Sequence, residues 1–376
     1  MARAGQIKMV DAFLKLIEGR GTLDGRFTNI RRINPVGGGG HFSLVLLATD
    51  QFDGKEVVLK FFRPDRLTPT DAYRWECFER EARVLADFSG ARDIIGLVAG
   101  RSEFTEHLHT TIPGITIPLK FSYYALEKAD SDMEAIIANE HWPADALLNA
   151  FRVMARALQR VHNRGVAHRD LKPSNFLLIL SNRSIKLSDF GTARSLRESE
   201  TPLLTNYSFP PGDIRYCPPE MVACLHDIDP KIAFSADFFA LGSILFELFT
   251  GVNLGVQMFG PNLLTAVLAP LAVVPRDQRS SIFHQSVGAL SAGYPLPAID
   301  SLSPNIPPCI RDRLDELYKG LCRLDYRQRT TSYPRIFRSI DTCLLILNNE
   351  TNYLRWLREK QRRRIARNRR NTGASI

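Results

Sequence analysis

His168-Arg169-Asp170-Leu171-Lys172-Pro173-Ser174-Asn175 is followed, fourteen residues after Asn175, by Asp189-Phe190-Gly191. These two stretches set in order three residue types that phosphoryl transfer needs. Asp170 is a carboxylate to orient a hydroxyl, Asn175 an amide oxygen for a metal ion, and Asp189 a second carboxylate for a metal. Any one of them alone reads as part of a polar surface loop. The full set, in this order and spacing, is far harder to obtain by coincidence.

Working outward, Val36-Gly37-Gly38-Gly39-Gly40-His41-Phe42-Ser43-Leu44-Val45 lies between two strand-like segments. Glycines let a backbone approach phosphate oxygens closely. Taken alone the stretch reads equally as a flexible hairpin turn. It gains meaning from Lys60, fifteen residues after Val45, at the end of the strand-like run Val57-Val58-Leu59. The periodicity of residues 71–88 predicts a helix with Phe78, Ala82 and Leu85 on one face. Glu81, Glu76 and Glu79 on that helix are candidate partners for Lys60.

These strings resemble the signatures of eukaryotic-type protein kinases, over residues 26–346. The resemblance implies an α+β bilobal fold, with a β-rich small lobe at 26–127 and a helical large lobe at 128–346. It implies a serine/threonine kinase that uses ATP and Mg²⁺ and acts on protein hydroxyls. Gly38, Gly40 and Val45 fall on the glycine-rich pattern, with Ser43 in place of its third glycine. Lys60, held by Glu81, is expected on the α- and β-phosphates. Leu126 is implied as the gatekeeper, and the backbones of Glu127 and Ala129 as adenine contacts, with Asp130 or Asp132 near the ribose. Asp170 is the expected base, Lys172 a charge partner for the transferred phosphoryl group, and Asn175 and Asp189 the Mg²⁺ ligands. Lys172-Pro173-Ser174 is the serine/threonine form of the loop. His168 is expected to be structural. Arg169 is expected to meet a phosphate on the segment that holds Ser195, Ser199, Thr201, Thr205, Tyr207 and Ser208. Glu220 is expected to pair with Arg329, and Asp237 to bind the backbone of the 168–175 loop. One departure stands out: Asp213 occupies the position of the usual threonine, near Asp170 and Lys172.

The composition suits a globular chain. Of 376 residues, 44% are hydrophobic and 24% charged, enough for sizeable cores. Six scattered cysteines without a CxxC pair argue against a zinc site or disulfide framework and suit a reducing cytoplasm. The apolar run 263–274 is too short for a membrane span, and 238–249 reads as a buried helix. Residues 1–25 carry helical spacing at Ile7, Val10, Phe13, Leu14 and Ile17, a short amphipathic helix packed on the body. The formal charge of +9 is concentrated: residues 355–370 hold nine Lys or Arg against Glu359 alone, a net +8. Tyr353, Leu354 and Trp356 open this basic 347–376 tail. It reads equally as a solvated tail or as a binder of nucleic acid or another anionic surface. Rival functions are a pseudokinase scaffold, a small-molecule phosphotransferase and a nucleic-acid-binding protein acting through the tail. The sequence assigns no oligomeric state.

Overall fold

The structure, a computed structural model, describes residues 13–33, 43–62, 71–109, 116–196, 211–225, 229, 231–260, 263–302 and 306–372. Gly38, Gly40 and the hydroxyl residues from Ser199 to Ser208 lie outside them.

Period-two alternation builds the small lobe. In β4 (Glu56–Phe62), Val57, Leu59 and Phe61 are buried and the residues between them half-buried. The buried set joins Leu44, Leu46 and Ala48 of β3 (Ser43–Asp50) in one apolar cluster. Helix α1, residues 13–19, covers this cluster with Phe13, Leu14 and Ile17, the Phe13 and Phe61 rings lying 5.4 Å apart. The remaining strands are β1 (Thr22–Leu23), β2 (Phe27–Arg32), β5 (Leu97–His109) and β6 (Thr116–Glu127). They complete an antiparallel sheet in the order β1-β2-β3-β4-β6-β5. The sheet therefore begins at Thr22, and α1 packs on it as part of the same unit.

The opposite face of β4 carries Val58, Lys60 and Phe62 toward helix α2 (Asp71–Asp87). Phe62 meets Trp75 and Phe78 of α2 at ring separations of 5.0 and 5.7 Å. Phe78, Ala82 and Leu85 are all buried. Strand pleat and helical face thus bring Lys60 and α2 together.

After Lys128 helices dominate: α3 (Met133–Asn139), α4 (Ala144–Asn163), α5 (Pro219–Val222), α6 (Ile232–Thr250), α7 (Leu254–Phe259), α8 (Leu263–Leu268), α9 (Arg276–Gly293), α10 (Arg311–Leu321) and α11 (Tyr333–Thr372). Helix α6 is apolar all round because it is the core of this lobe, and it ends at Gly251, whose left-handed φ of 71° lets its N–H cap Glu247 O. Among the described residues α6 is also the helix long and apolar enough to cross a membrane, yet 78% of that stretch is buried in the protein. Helix α11 packs Ile336, Ile340 and Cys343 into the lobe and then continues without a break past residue 347. The basic segment therefore extends an anchored helix.

Two small antiparallel sheets frame the decisive stretches. One joins β10 (Ser184–Leu187), β9 (Phe176–Ile179) and β7 (Ser131–Asp132), the other β11 (Arg194–Ser195) and β8 (Val166–Ala167). Residues 168–175 run from β8 to β9, and Asp189-Phe190-Gly191 runs from β10 to β11. Both loops are consequently pinned at each end by strand pairing.

Candidate active site

Lys60 is the meeting point of the two lobes. Its register partner in β3 is Val45, so both side chains share the α2-facing side of the sheet. The Lys60 ammonium lies 2.5 Å from Glu81 Oε2 and 3.5 Å from Asp189 Oδ1. Burial opposes its charge, but the Asp189 and Glu81 carboxylates outweigh that and hold the ammonium well above its ordinary pKa. The competing carboxylates face elsewhere: Glu76 pairs with Arg80 at 3.6 Å and Glu79 with Arg101 at 3.2 Å.

Asp189 is held in a left-handed conformation, φ 61°, which costs a non-glycine residue roughly 1–3 kcal/mol. Packing of the next residue supports it. The fully buried Phe190 ring stands 4.9 Å from His168 and 5.9 Å from Phe88. Burial disfavours charge on Asp189, but Lys60 and Lys172 overcome it and depress its pKa.

Asp237 of α6 shapes the 168–175 loop. Its carboxylate accepts the N–H groups of His168 at 2.7 Å and Arg169 at 2.8 Å, and meets His162 Nε2 at 2.9 Å. These bonds hold Arg169 at φ 67°. His168 is buried, its ring bonded to Ser188 O at 3.0 Å, a supporting place rather than one facing the cleft. Asp170 follows, with Lys172 Nζ 3.0 Å from its Oδ2. Burial raises the Asp170 pKa, against the pull of Lys172. Asn175 donates from its amide nitrogen to Asp170 O at 2.7 Å, which leaves the amide oxygen as the acceptor for a cation.

The charge balance of this cleft suits a cation. Glu81, Asp170 and Asp189 outnumber Lys60 and Lys172 by one negative charge. Among the described residues no group of three His, Cys, Asp or Glu could hold a metal ion by itself. Two protein oxygens, Asn175 and Asp189, suit Mg²⁺, which takes one or two side-chain ligands and completes its shell with phosphates and water.

The protein-kinase-domain family model matches residues 32–339. The chain belongs to the protein kinase family. A probable serine/threonine-protein kinase PknB from Corynebacterium glutamicum is 30% identical over 222 residues, covering 58% of this chain and 31% of that protein. The mitogen-activated protein kinase hog1 of Blastobotrys adeninivorans is 27% identical over 297 residues, covering 79% of this chain and 66% of that one. The interferon-induced, double-stranded RNA-activated protein kinase of Rattus norvegicus is 29% identical over 235 residues, 60% and 42% of the two chains. The matches thus span about a third to two thirds of those relatives' lengths.

Within this kinase, Leu126 is buried where β6 ends, and Glu127 and Ala129 begin the link to the large lobe. Glu127 N–H donates to Gly96 O at 2.9 Å, and its carboxylate takes Lys186 and the Gly96 N–H, both at 2.5 Å. Among the described residues Ala129 offers its main-chain groups to no other backbone group. The two ribose candidates are engaged: Asp130 accepts Leu180 N–H at 2.7 Å and Asp132 caps α3 through Ala135 N–H at 2.8 Å. Ser43 opens β3 opposite Phe62, in extended pairing that needs no glycine, which explains that substitution.

At the segment end Asp213 lies beside Asp170, as expected. Its carboxylate does not reach Lys172; it binds Arg215, and the Asp213 N–H donates to Asp170 Oδ1 at 2.7 Å. Glu220 and Arg329 pair through both oxygens at 2.5 and 3.2 Å, neither side chain exposed. Two positions escape a sequence reading. Arg80 donates to Gly191 O at 2.8 Å and ties α2 to the Asp189 loop; its place one turn after Glu76 is the available sign. Gly212 has φ 89°, and a Cβ there would stand 2.4 Å from Arg169 O, a constraint set by a segment distant in sequence.

Proposed function

We propose that this chain is an ATP- and Mg²⁺-dependent serine/threonine protein kinase. The observation that carries the reading is Lys60 joined to Glu81 of the small lobe and Asp189 of the large lobe in one cleft. In that reading Lys60 holds the α- and β-phosphates. The substrate oxygen attacks the γ-phosphorus, the bond to the β-phosphate oxygen breaks, ADP leaves, and the hydroxyl proton passes by way of Asp170 to solvent. Lys172 offsets charge on the moving phosphoryl group. Asn175 and Asp189 would hold Mg²⁺, whose charge would offset that of the phosphates. With every charged group present, the reading favours an enzyme over a scaffold. The Lys172-Pro173-Ser174 form of the loop supports serine or threonine as acceptor. The test is transfer of label from γ-³²P-ATP to the chain itself and to a generic basic protein. Labelled Ser or Thr that disappears in Asp170→Asn is expected; equal labelling by Asp170→Asn overturns the reading.

Regulation by phosphorylation belongs to the same proposal. Arg169 is buried, and burial together with Arg80 and Arg194 lowers its pKa to about 10. Among the described residues its Nη2 has no hydrogen-bond partner. A phosphate on the 195–208 segment would complete this group of cations. Mass mapping of active protein tests it: phosphate within 195–208 is expected, and its absence contradicts the idea. Six free cysteines support a reducing cytoplasmic setting. For the basic part of α11 the proposed partner is a nucleic acid or similar polyanion, whose binding should weaken steeply with added salt.

A further inference from the structure

Asp213 stands at the edge of the catalytic loop: its N–H lies 2.7 Å from Asp170 Oδ1, and the other oxygen of that same carboxylate lies 3.0 Å from the Lys172 ammonium. Left alone, the Asp213 carboxylate would compete with Asp170 for the Lys172 ammonium. The fold prevents this with a neighbour two residues away. Arg215 donates Nη2 to Asp213 Oδ2 at 2.7 Å and Nε to Oδ1 at 3.1 Å, a forked grip on both oxygens. The Arg215 N–H donates to the same Oδ1 at 3.0 Å and caps the turn Ile214–Tyr216. Arg215 is placed in turn by Glu134 of α3, at 4.0 Å, by the Tyr216 ring and by Gly255, whose missing side chain gives room to Arg215 O. Lys172 is thereby left with Asp170 at 3.0 Å.

We propose that Arg215 is a positioning residue for phosphoryl transfer: it clamps the Asp213 carboxylate away from Lys172, so that Asp213 offers Asp170 its main-chain N–H and nothing else. This rests on the kinase reading of Asp170 and Lys172. The arrangement explains how an aspartate is tolerated where a second negative charge would draw the phosphoryl-stabilising lysine out of place.

The test compares Arg215→Ala, Asp213→Asn and the double variant in steady-state transfer from ATP to a basic protein substrate. Arg215→Ala should lower kcat about tenfold with little change in the KM for ATP, because the freed carboxylate captures Lys172. Asp213→Asn should stay within about threefold of wild type, because its N–H is retained. The double variant should recover to within about threefold of wild type, since no charge remains to be restrained. A merely structural salt bridge gives the opposite pattern, with the double variant no better than Arg215→Ala. That pattern, or a fully active Arg215→Ala, overturns the proposal. If Arg215→Ala fails to fold, Arg215→Gln replaces it: loss of kcat that Asp213→Asn restores in the double variant is expected, and a fully active Arg215→Gln, or no restoration, overturns the proposal. A wild-type chain that transfers no phosphate overturns the kinase reading as well, whereas active wild type with unimpaired Arg215→Ala overturns this proposal alone.

Discussion

In the large lobe Arg329 meets Glu220 with neither side chain exposed; across the cleft Lys60 meets Glu81 with 14% of the lysine and 45% of the neighbouring Asp189 open. The large-lobe pair is closed. Arg329 also donates to Ser235 O and Arg323 O, so its donors are shared among acceptors that belong to the fold. The cleft pair is unfinished, with a second carboxylate and a net negative surplus that protein groups do not balance. Two buried lysine- or arginine-carboxylate pairs can therefore have different purposes. A pair whose partners are all satisfied fixes a segment; a pair with a surplus acceptor and an open side waits for a ligand.

That contrast can be broken by mutation. Lys60→Met should lower the kcat of each folded molecule by about 10²–10³-fold, in line with the loss of one preorganised charge partner, beside a stability cost from leaving Glu81 buried. Arg329→Ala should act on stability alone, costing about 3–5 kcal/mol because Glu220 is left buried and unpaired, with the rate of each folded molecule largely kept. Denaturant melts beside initial rates per folded molecule separate the two, and a stable but inactive Arg329→Ala would erase the distinction. Gly212→Ala probes the link between the regions, since both its φ and the contact with Arg169 O are prohibitive. A loss of roughly 1–3 kcal/mol is expected, read from the unfolding midpoint; an unshifted midpoint would mean that the 212–213 turn is not tied to Arg169. The smallest effect belongs to Glu79→Gln. Its partner is Arg101, both are partly exposed, and a change of about 0–1 kcal/mol with undiminished activity is expected.

The pH dependence sharpens the same comparison. Burial raises the Asp170 pKa, while lysines depress that of Asp189. As pH falls Asp170 is protonated first, and the proton acceptor is lost while Asp189 keeps its charge. The kcat/KM profile should therefore rise with pH through one acid limb above the ordinary aspartate value of about 3.9. A limb at or below that value would place Asp170 in open solvent.

Much of this was legible in the sequence, for identifiable reasons. Strand and helix periods, which are short-range, located Lys60 at the end of a strand and a helix carrying Glu76, Glu79 and Glu81; the choice of Glu81 among them came from the resemblance to the kinase pattern. The bilobal order was readable because period-two text up to Glu127 gives way to helical periodicity such as that of Ala144–His162. What was not readable depends on distant backbone. Gly212 is required by Arg169 O, Arg80 finds Gly191 O across the lobes, and the Asp213 carboxylate turns to Arg215 while its N–H serves Asp170. Residue types advertise charge, but the choice between side chain and main chain at one position is made by the fold. Past Leu347 the sequence reads as a helix that loses its apolar face and turns basic, and α11 continues through that change of composition.

The central claim is that the carboxylate surplus around Asp189 suits a divalent cation that arrives with the nucleotide, as the proposed function requires. Equilibrium binding of a fluorescent ADP analogue, measured with Mg²⁺ and with excess EDTA, addresses it most directly. Tighter binding in Mg²⁺ by tenfold or more is predicted, with the difference abolished in Asp189→Asn. Equal affinity with and without Mg²⁺ in the wild-type chain, or a Mg²⁺ effect that persists in Asp189→Asn, would contradict it.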